Sequence, residues 1–147
     1  MSDASFHSAF REETDKPRMP KVMGNLALVL GTGAVLFGIL GLGEWTGGRW
    51  IAVELAKMIA AGLFAWSGWM LVRYRARSIK IGVLSILMYI IAGVASSTLV
   101  NTAGTEKYGA AAGEYLMFWA LVGLAFQAVL CLLVLGLPWV KHRQALH

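Results

Sequence analysis

The sequence predicts an all-α integral membrane protein, with four transmembrane helices in a compact bundle and with the N and C termini in the cytoplasm. Three observations predict this fold: the composition, four long apolar runs, and a one-sided distribution of Lys and Arg. Of the 147 residues, 58% are apolar and only 14% are charged, whereas about 25% of residues are charged in ordinary soluble domains. A soluble domain of this length could not bury so much apolar surface. The composition therefore excludes a soluble globular enzyme, and it also excludes a disordered chain.

Each of the four apolar runs is close to the roughly 20 residues that a helix needs to cross a bilayer. The predicted spans are residues 22–43, 50–72, 81–100 and 115–137. They form a transmembrane domain at 22–137, flanked by an N-terminal tail at 1–21 and a C-terminal tail at 138–147. No segment outside the spans is long enough to form a domain. We therefore expect any chemistry to occur within the bundle, at its edge or on a partner.

Lys and Arg predict the orientation, because these residues accumulate in cytoplasmic segments. Ten of the thirteen basic residues flank the spans on one side. They are Arg11, Lys16, Arg18, Lys21, Arg73, Arg75, Arg77, Lys80, Lys141 and Arg143. The other side has only Arg49 and Lys107. This bias places both tails in the cytoplasm and explains the net charge of +5 without nucleic acid as a partner.

The basic connection between the second and third spans predicts contact with the membrane surface. Its residues Arg73, Arg75, Arg77 and Lys80 are suited to anionic lipid headgroups. A multi-pass protein of a plasma membrane, and in particular of the bacterial inner membrane, is the localisation that we expect.

The first span contains a stripe of small residues at alternating steps of three and four, which keeps them on one helix face. The stripe consists of Gly24, Ala27, Gly31, Ala34, Gly38 and Gly41. Small residues let helix backbones approach closely in a membrane. The stripe therefore predicts a packing seam, either within the chain or against another subunit.

Glu54 and Lys57 are the most unusual residues of the second span, since charged side chains within a membrane are costly. They are three residues apart and so share a helix face. A structural ion pair near the interface, a proton or ion site, and a salt bridge to a partner chain are three interpretations of this pair.

Further polar residues extend this candidate site. Gln127 lies near the middle of the fourth span, where its amide needs a partner. Glu114 lies just before that span, where a carboxylate also suits the positive end of the helix dipole. The third span has Ser85, Tyr89 and Ser96 near one face. Glu54, Lys57, Glu114 and Gln127 are thus the candidate polar or ion site, in a pocket that would open outward.

The sequence contains no recognisable catalytic or metal-binding pattern. The three histidines, His7, His142 and His147, lie in the tails, so haem held by two histidines within the spans is excluded. Cys131 is the single cysteine and cannot form an internal disulfide. We therefore expect a protein that is not an enzyme, with no metal and no cofactor, although a bound lipid is compatible with these spans.

Two functions remain open from the sequence. The first is a non-enzymatic small membrane subunit that packs into a larger integral-membrane complex, with an accessory, assembly or stabilising role. The alternative is a small oligomeric transporter or channel with an outward-facing polar pocket around Glu54 and Lys57. The expected partners are the lipid bilayer and either other membrane-protein subunits or further copies of this chain.

Overall fold

A computed structural model of the chain describes residues 17–41 and 47–142, and this part of the chain is all-helical. It contains four helices: α1 (Arg18–Gly41), α2 (Gly48–Val72), α3 (Arg77–Tyr108) and α4 (Ala110–His142). Each is long and apolar enough to cross a membrane. Four such helices indicate an integral membrane protein, and each predicted span lies within or largely within one helix. The acidic part of the N-terminal tail and residues 143–147 lie outside the described residues.

Consecutive helices pack antiparallel to one another. α1 packs on α2, α2 on α3, and α3 on α4, whereas α1 and α4 contact each other much less. The start of α1, the turn at 73–76 and the end of α4 consequently lie at the same end of the bundle. We call it the basic end, because Arg18, Lys21, Arg73, Arg75, Arg77, Lys80 and Lys141 all lie there.

The seam between α1 and α2 is formed by small residues on both helices. A Cβ built on Gly31 would lie 2.6 Å from the backbone nitrogen of Ala65, and one on Gly24 would lie 2.7 Å from the carbonyl oxygen of Gly68. Ala27, between them, is fully buried. Backbone contact of this kind maximises van der Waals attraction where lipid supplies no hydrophobic driving force. This part of the stripe therefore packs within the chain.

Ala34 and Gly38, in the second half of the small-residue stripe, do not make such backbone contacts. Ala34 is exposed, and a Cβ on Gly38 would meet the Met58 side chain, with Cγ at 2.6 Å, rather than a backbone. Gly41 is the last residue of α1, and its surroundings lie outside the described residues. The close seam thus ends near Gly31, halfway along α1.

A tight turn joins α2 to α3 at the basic end. Tyr74 has φ of 58°, which reverses the chain after α2, and its amide donates a hydrogen bond to the Leu71 carbonyl at 2.9 Å. The phenol of Tyr74 is buried and donates to the Pro17 carbonyl at 3.0 Å. This bond fixes the start of α1 against the turn. Burial raises the pKa of the Tyr74 phenol above its ordinary value.

The hairpin of α3 and α4 is longer than that of α1 and α2. α3 has 32 residues and α4 has 33, against 24 and 25 for the first two helices. A hydrogen bond from Ser85 to the Ala60 carbonyl aligns α3 with α2. From this alignment, at 1.5 Å per residue, the tip of the hairpin extends roughly 16 Å past the start of α2.

This tip, residues 101–114, lies between the predicted third and fourth spans. In the structure it is helical on both sides of Gly109, which has φ of 93°. Gly104 and Gly113 are buried, and a Cβ on Gly104 would lie 3.1 Å from the Gly113 Cα. Small residues thus allow the two helices to stay in contact beyond the predicted spans.

The buried core is concentrated in the half of the bundle next to the basic end. It consists of Ala27, Phe64, Leu71, Tyr74, Ile86, Val134 and Leu135. In the other half, α1 and α4 are not held together by such a core. This asymmetry leaves a cleft between them.

Candidate functional site

A cleft lies between α1 and α4 in the described part of the chain. Its wider part has a volume of about 530 Å³, within the range of small-molecule sites. α1 supplies one wall with Val29, Leu30, Gly33, Ala34, Phe37 and Gly38. The other residues are Glu54, Lys57 and Met58 of α2, Tyr89 of α3 and Gln127 of α4. The cleft thus combines an apolar wall with four polar side chains.

Glu54 and Lys57 form an ion pair in this cleft, with 2.5 Å between Lys57 Nζ and Glu54 Oε1. The side chains of Glu54 and Lys57 are 15% and 22% exposed, respectively, so both are largely buried. Lys57 Nζ also donates to Ser96 Oγ at 3.5 Å, a weak bond across to α3. The pair therefore neutralises itself and links two helices, as the structural interpretation of these residues requires. It also lines a cavity, which a purely structural pair does not need.

Tyr89 and Gln127 form a second polar pair. Tyr89 Oη donates to Gln127 Oε1 at 2.9 Å, which joins α3 to α4. Tyr89 lies between the two parts of the cavity and lines both. Gln127 is exposed toward the cleft side of α4 and lines both parts as well.

A narrower cavity of about 150 Å³ continues from the cleft toward the core. Its lining is mostly apolar and includes Phe64, Ile86 and Cys131. The hydroxyl of Ser85, which lines this cavity from α3, is occupied by the bond to the Ala60 carbonyl at 2.7 Å. The site as a whole therefore has a polar region that leads into an apolar recess.

Two side chains of the polar region have hydrogen-bond donors that no described residue accepts. Among the described residues, Gln127 Nε2 has no acceptor, because the amide oxygen makes the single bond of this side chain. Lys57 has three N–H donors, of which Glu54 and Ser96 accept two. A ligand with an acceptor oxygen would satisfy donors that are otherwise costly to leave unpaired in a membrane.

The four residues of the predicted polar site do not all meet. Glu54, Lys57 and Gln127 line one cleft. Glu114 is exposed in the first turns of α4, and the thirteen residues that separate it from Gln127 correspond to roughly 20 Å of helix. Glu114 therefore belongs to the hairpin tip and not to this site.

The hydroxyls at and just beyond the C-terminal end of the third span bond within their own helix. Ser97 donates to the Val94 carbonyl at 2.8 Å, and Thr98 donates to that of Ala95 at the same distance. Thr102 donates likewise to the Thr98 carbonyl. Each is thus satisfied by the preceding turn of its own helix.

Tyr89 is the cleft residue that the sequence did not select. It lies four residues after Ser85 and seven before Ser96, and this spacing predicts that the three side chains share a helix face. Its pairing with Gln127 depends on how α3 and α4 are placed, which spacing within one helix cannot reveal.

The described part of the chain contains no candidate metal site. Residues 17–41 and 47–142 contain no group of three or more His, Cys, Asp or Glu that could hold a metal ion. His7 and His147 lie outside the described residues. What the cleft can do chemically is bind, through donors, an ion pair and an apolar recess.

Comparison with known proteins identifies no relative of this chain. No family model matches it, and no similar curated protein or solved structure was found. The function therefore has to be inferred from the geometry of the bundle.

Proposed function

We propose that this chain is a non-enzymatic membrane protein that takes an amphiphilic small molecule from the bilayer into the cleft between α1 and α4. The observation that carries the proposal is the combination of polar and apolar lining in one open cavity. Lys57 and Gln127 have spare donors next to a wall that includes Ala34 and Phe37. The ligand class is an amphiphile with an acceptor oxygen at its polar end.

Entry from the lipid follows from how the helices pack. α1 and α4 are the neighbouring pair with the least contact, and Phe37 and Val29 at the cleft are 77% and 66% exposed. A membrane-dissolved molecule would reach the polar groups between these two helices without crossing water. Such a site suits a small transporter, as a single chain or as an oligomer.

The proposed orientation has both termini in the cytoplasm, so that the basic end faces the cytoplasm and the cleft lies in the opposite half of the bundle. It is supported by the exposed Lys and Arg of the basic end. The proposed location is the bacterial inner membrane.

Filling the cleft tests the proposal. Ala34 is an exposed residue that lines both parts of the cavity, so Ala34→Trp should occupy the ligand's space. Ala125→Trp is the matched control, because Ala125 is exposed on α4 and does not line the cleft. Each variant is purified in mild detergent, and its retained small molecules are extracted and identified by mass spectrometry.

The expected result is one enriched amphiphile in the wild type and in Ala125→Trp, and its loss in Ala34→Trp at unchanged thermal stability. The same lipid mixture in all three proteins would contradict the proposal. Gln127→Leu should weaken retention as well, since it removes the spare donors and preserves the size of the side chain.

A subunit of a larger membrane complex is the second candidate. It is supported by two exposed glycines, Gly62 on α2 and Gly123 on α4: nothing lies within 4 Å of a Cβ built on either. Another helix could approach the backbone there. The small-residue stripe supports this candidate less, because its first half, from Gly24 to Gly31, already packs against α2. Stable co-purification with larger, unrelated subunits from the native membrane would favour this function, and a lone chain or homo-oligomer would favour the first.

A further inference from the structure

The basic end has a concentration of positive charge that nothing in the described part of the chain neutralises. Arg18, Arg73, Arg75, Arg77 and Lys80 are all exposed. Among residues 17–24, 68–82 and 133–142, which form this end, there is no Asp or Glu; Glu12, Glu13 and Asp15 lie outside the described residues. The described residues contain a single ion pair, Glu54 with Lys57, and it is in the other half of the bundle.

The turn after α2 brings these charges together from separate helices. The bond from the Tyr74 phenol to the Pro17 carbonyl fixes the start of α1 beside the turn. Arg18 follows Pro17 directly, and Arg73 and Arg75 flank Tyr74. The fold therefore brings cations of separate segments to one place although they repel one another. An external anion bound between them would offset this repulsion.

Arg73 is the most constrained of these cations. Its guanidinium carbon lies 3.8 Å from the centre of the Trp69 ring, in a cation–π contact. Trp69 is itself held by Trp66, with 5.4 Å between the ring centres. Stacking fixes the plane of the guanidinium and leaves the N–H groups at its edge available, which suits two parallel hydrogen bonds to a phosphate.

The position of Arg73 along the membrane normal indicates what kind of phosphate it can contact. Indole rings prefer the level of the lipid headgroups, so Trp66 and Trp69 mark that level on α2. Trp66 is 52% exposed, and nothing lies within 4 Å of a Cβ built on Gly62, one turn deeper. Arg73 thus lies at the depth of lipid phosphates, above a helix surface that an acyl chain can cover.

We propose that the basic end holds the phosphate of an anionic phospholipid, with Arg73 as the group that binds it through two hydrogen bonds. Arg75 and Arg18 supply the surrounding positive charge. The lipid lies against the α2 surface at Gly62 and Trp66, on a site that is separate from the cleft. The proposal does not depend on the ligand of the cleft.

Lipid selectivity in reconstituted bilayers tests this site. The full chain is placed in phosphatidylcholine membranes, and spin-labelled phosphatidylglycerol and phosphatidylcholine report their relative association with the protein. Arg73→Gln should lower the preference for phosphatidylglycerol by about fivefold, as expected for one cation near the surface. Arg49→Gln is the matched control, because Arg49 is exposed on the same helix at the opposite end; it removes one surface charge but no part of the proposed site, so it should lower the preference less than Arg73→Gln does.

A conservative variant distinguishes a built site from diffuse attraction. Arg73→Lys preserves the charge but loses the planar fork and its two parallel bonds, so we expect it to lose most of the preference too. A wild-type preference in Arg73→Lys, or an equal loss in Arg49→Gln, would overturn the proposal. Millimolar inorganic phosphate should not displace the lipid beyond a chloride control of equal ionic strength; displacement would overturn the lipid as the ligand and assign the site to a soluble phosphate.

Discussion

Lys57 has partners on two helices, which makes it the residue on which the polar part of the cleft depends most. It pairs with Glu54 on α2 and contacts Ser96 on α3. Both charges of the pair are within a predicted span, where an isolated charge is costly. Removing one partner therefore leaves the other charge without compensation.

Single and double changes of this pair should have unequal effects. We expect Glu54→Gln and Lys57→Met each to lower the free energy of unfolding by roughly 2–3 kcal/mol, and the double variant to lower it less than either. Denaturation in detergent measures all three. A double variant that loses the sum of the single losses would contradict mutual compensation. A double variant that folds normally but no longer retains a ligand would assign the pair to the binding site as well.

Tyr74 should contribute to stability through its bond to the start of α1. Tyr74→Phe preserves the buried ring and removes the hydrogen bond, which should cost about 1 kcal/mol. The raised pKa of the phenol means that the folded state favours the neutral form of Tyr74. The stability that this preference contributes is therefore complete below the ordinary pKa of 10.0. It is lost as the pH rises through the folded-state pKa.

The measurement for Tyr74 is a pair of stability profiles against pH. The difference between wild type and Tyr74→Phe should be constant up to about pH 10 and should shrink at higher pH. A difference that does not change in alkali would show that the phenol is not buried in its neutral form.

At the scale of the helices, α1 has two kinds of glycine that should respond differently to a larger side chain. A Cβ on Gly31 would lie 2.7 Å from the Ala61 carbonyl, whereas one on Gly33 meets nothing within 4 Å. Gly31→Leu should therefore destabilise the bundle by about 3 kcal/mol or more, because backbone cannot give way. Gly33→Leu, the control, should change stability little, although it narrows the cleft.

Gly38→Leu should be intermediate, because the atoms that it meets, Cγ and Sδ of Met58, belong to a flexible side chain and not to a backbone. The thermal unfolding temperatures of Gly31→Leu, Gly33→Leu and Gly38→Leu, measured in one detergent, rank the three losses of stability. Equal effects at Gly31 and Gly33 would mean that α1 does not pack on α2 through this stripe.

The helices could be predicted from the sequence, and the cleft could not. Length and apolar composition are properties of each segment, so four helices follow from them. The extension of α3 to Tyr108 was missed because residues 101–108 are polar and small, and helix packing at Gly104 and Gly113 supports them instead of lipid. The meeting of Tyr89 with Gln127, and the separation of Glu114 from both, depend on the relative placement of helices that no local pattern specifies.

For the whole molecule, the proposed orientation predicts which surfaces a membrane-impermeant thiol reagent reaches. In a Cys131→Ala background, Thr105→Cys at the hairpin tip should be labelled from outside intact cells. Arg75→Cys at the basic end should be labelled only after the membrane is opened. Both positions are exposed, so accessibility depends on sidedness alone. Labelling of Arg75→Cys from outside would reverse the orientation.

The central claim is that the cleft between α1 and α4 holds a specific amphiphile in the membrane. Photo-crosslinking from two similar positions tests it most directly. Phe37, at the cleft, is 77% exposed, and Phe126, on α4 and outside the cleft lining, is 70% exposed. Each is replaced in turn by a photoreactive phenylalanine analogue in the native membrane, and the crosslinked molecules are identified by mass spectrometry. The account predicts one enriched amphiphile at position 37 and the bulk lipid mixture at position 126. The same lipid mixture at both positions would contradict it.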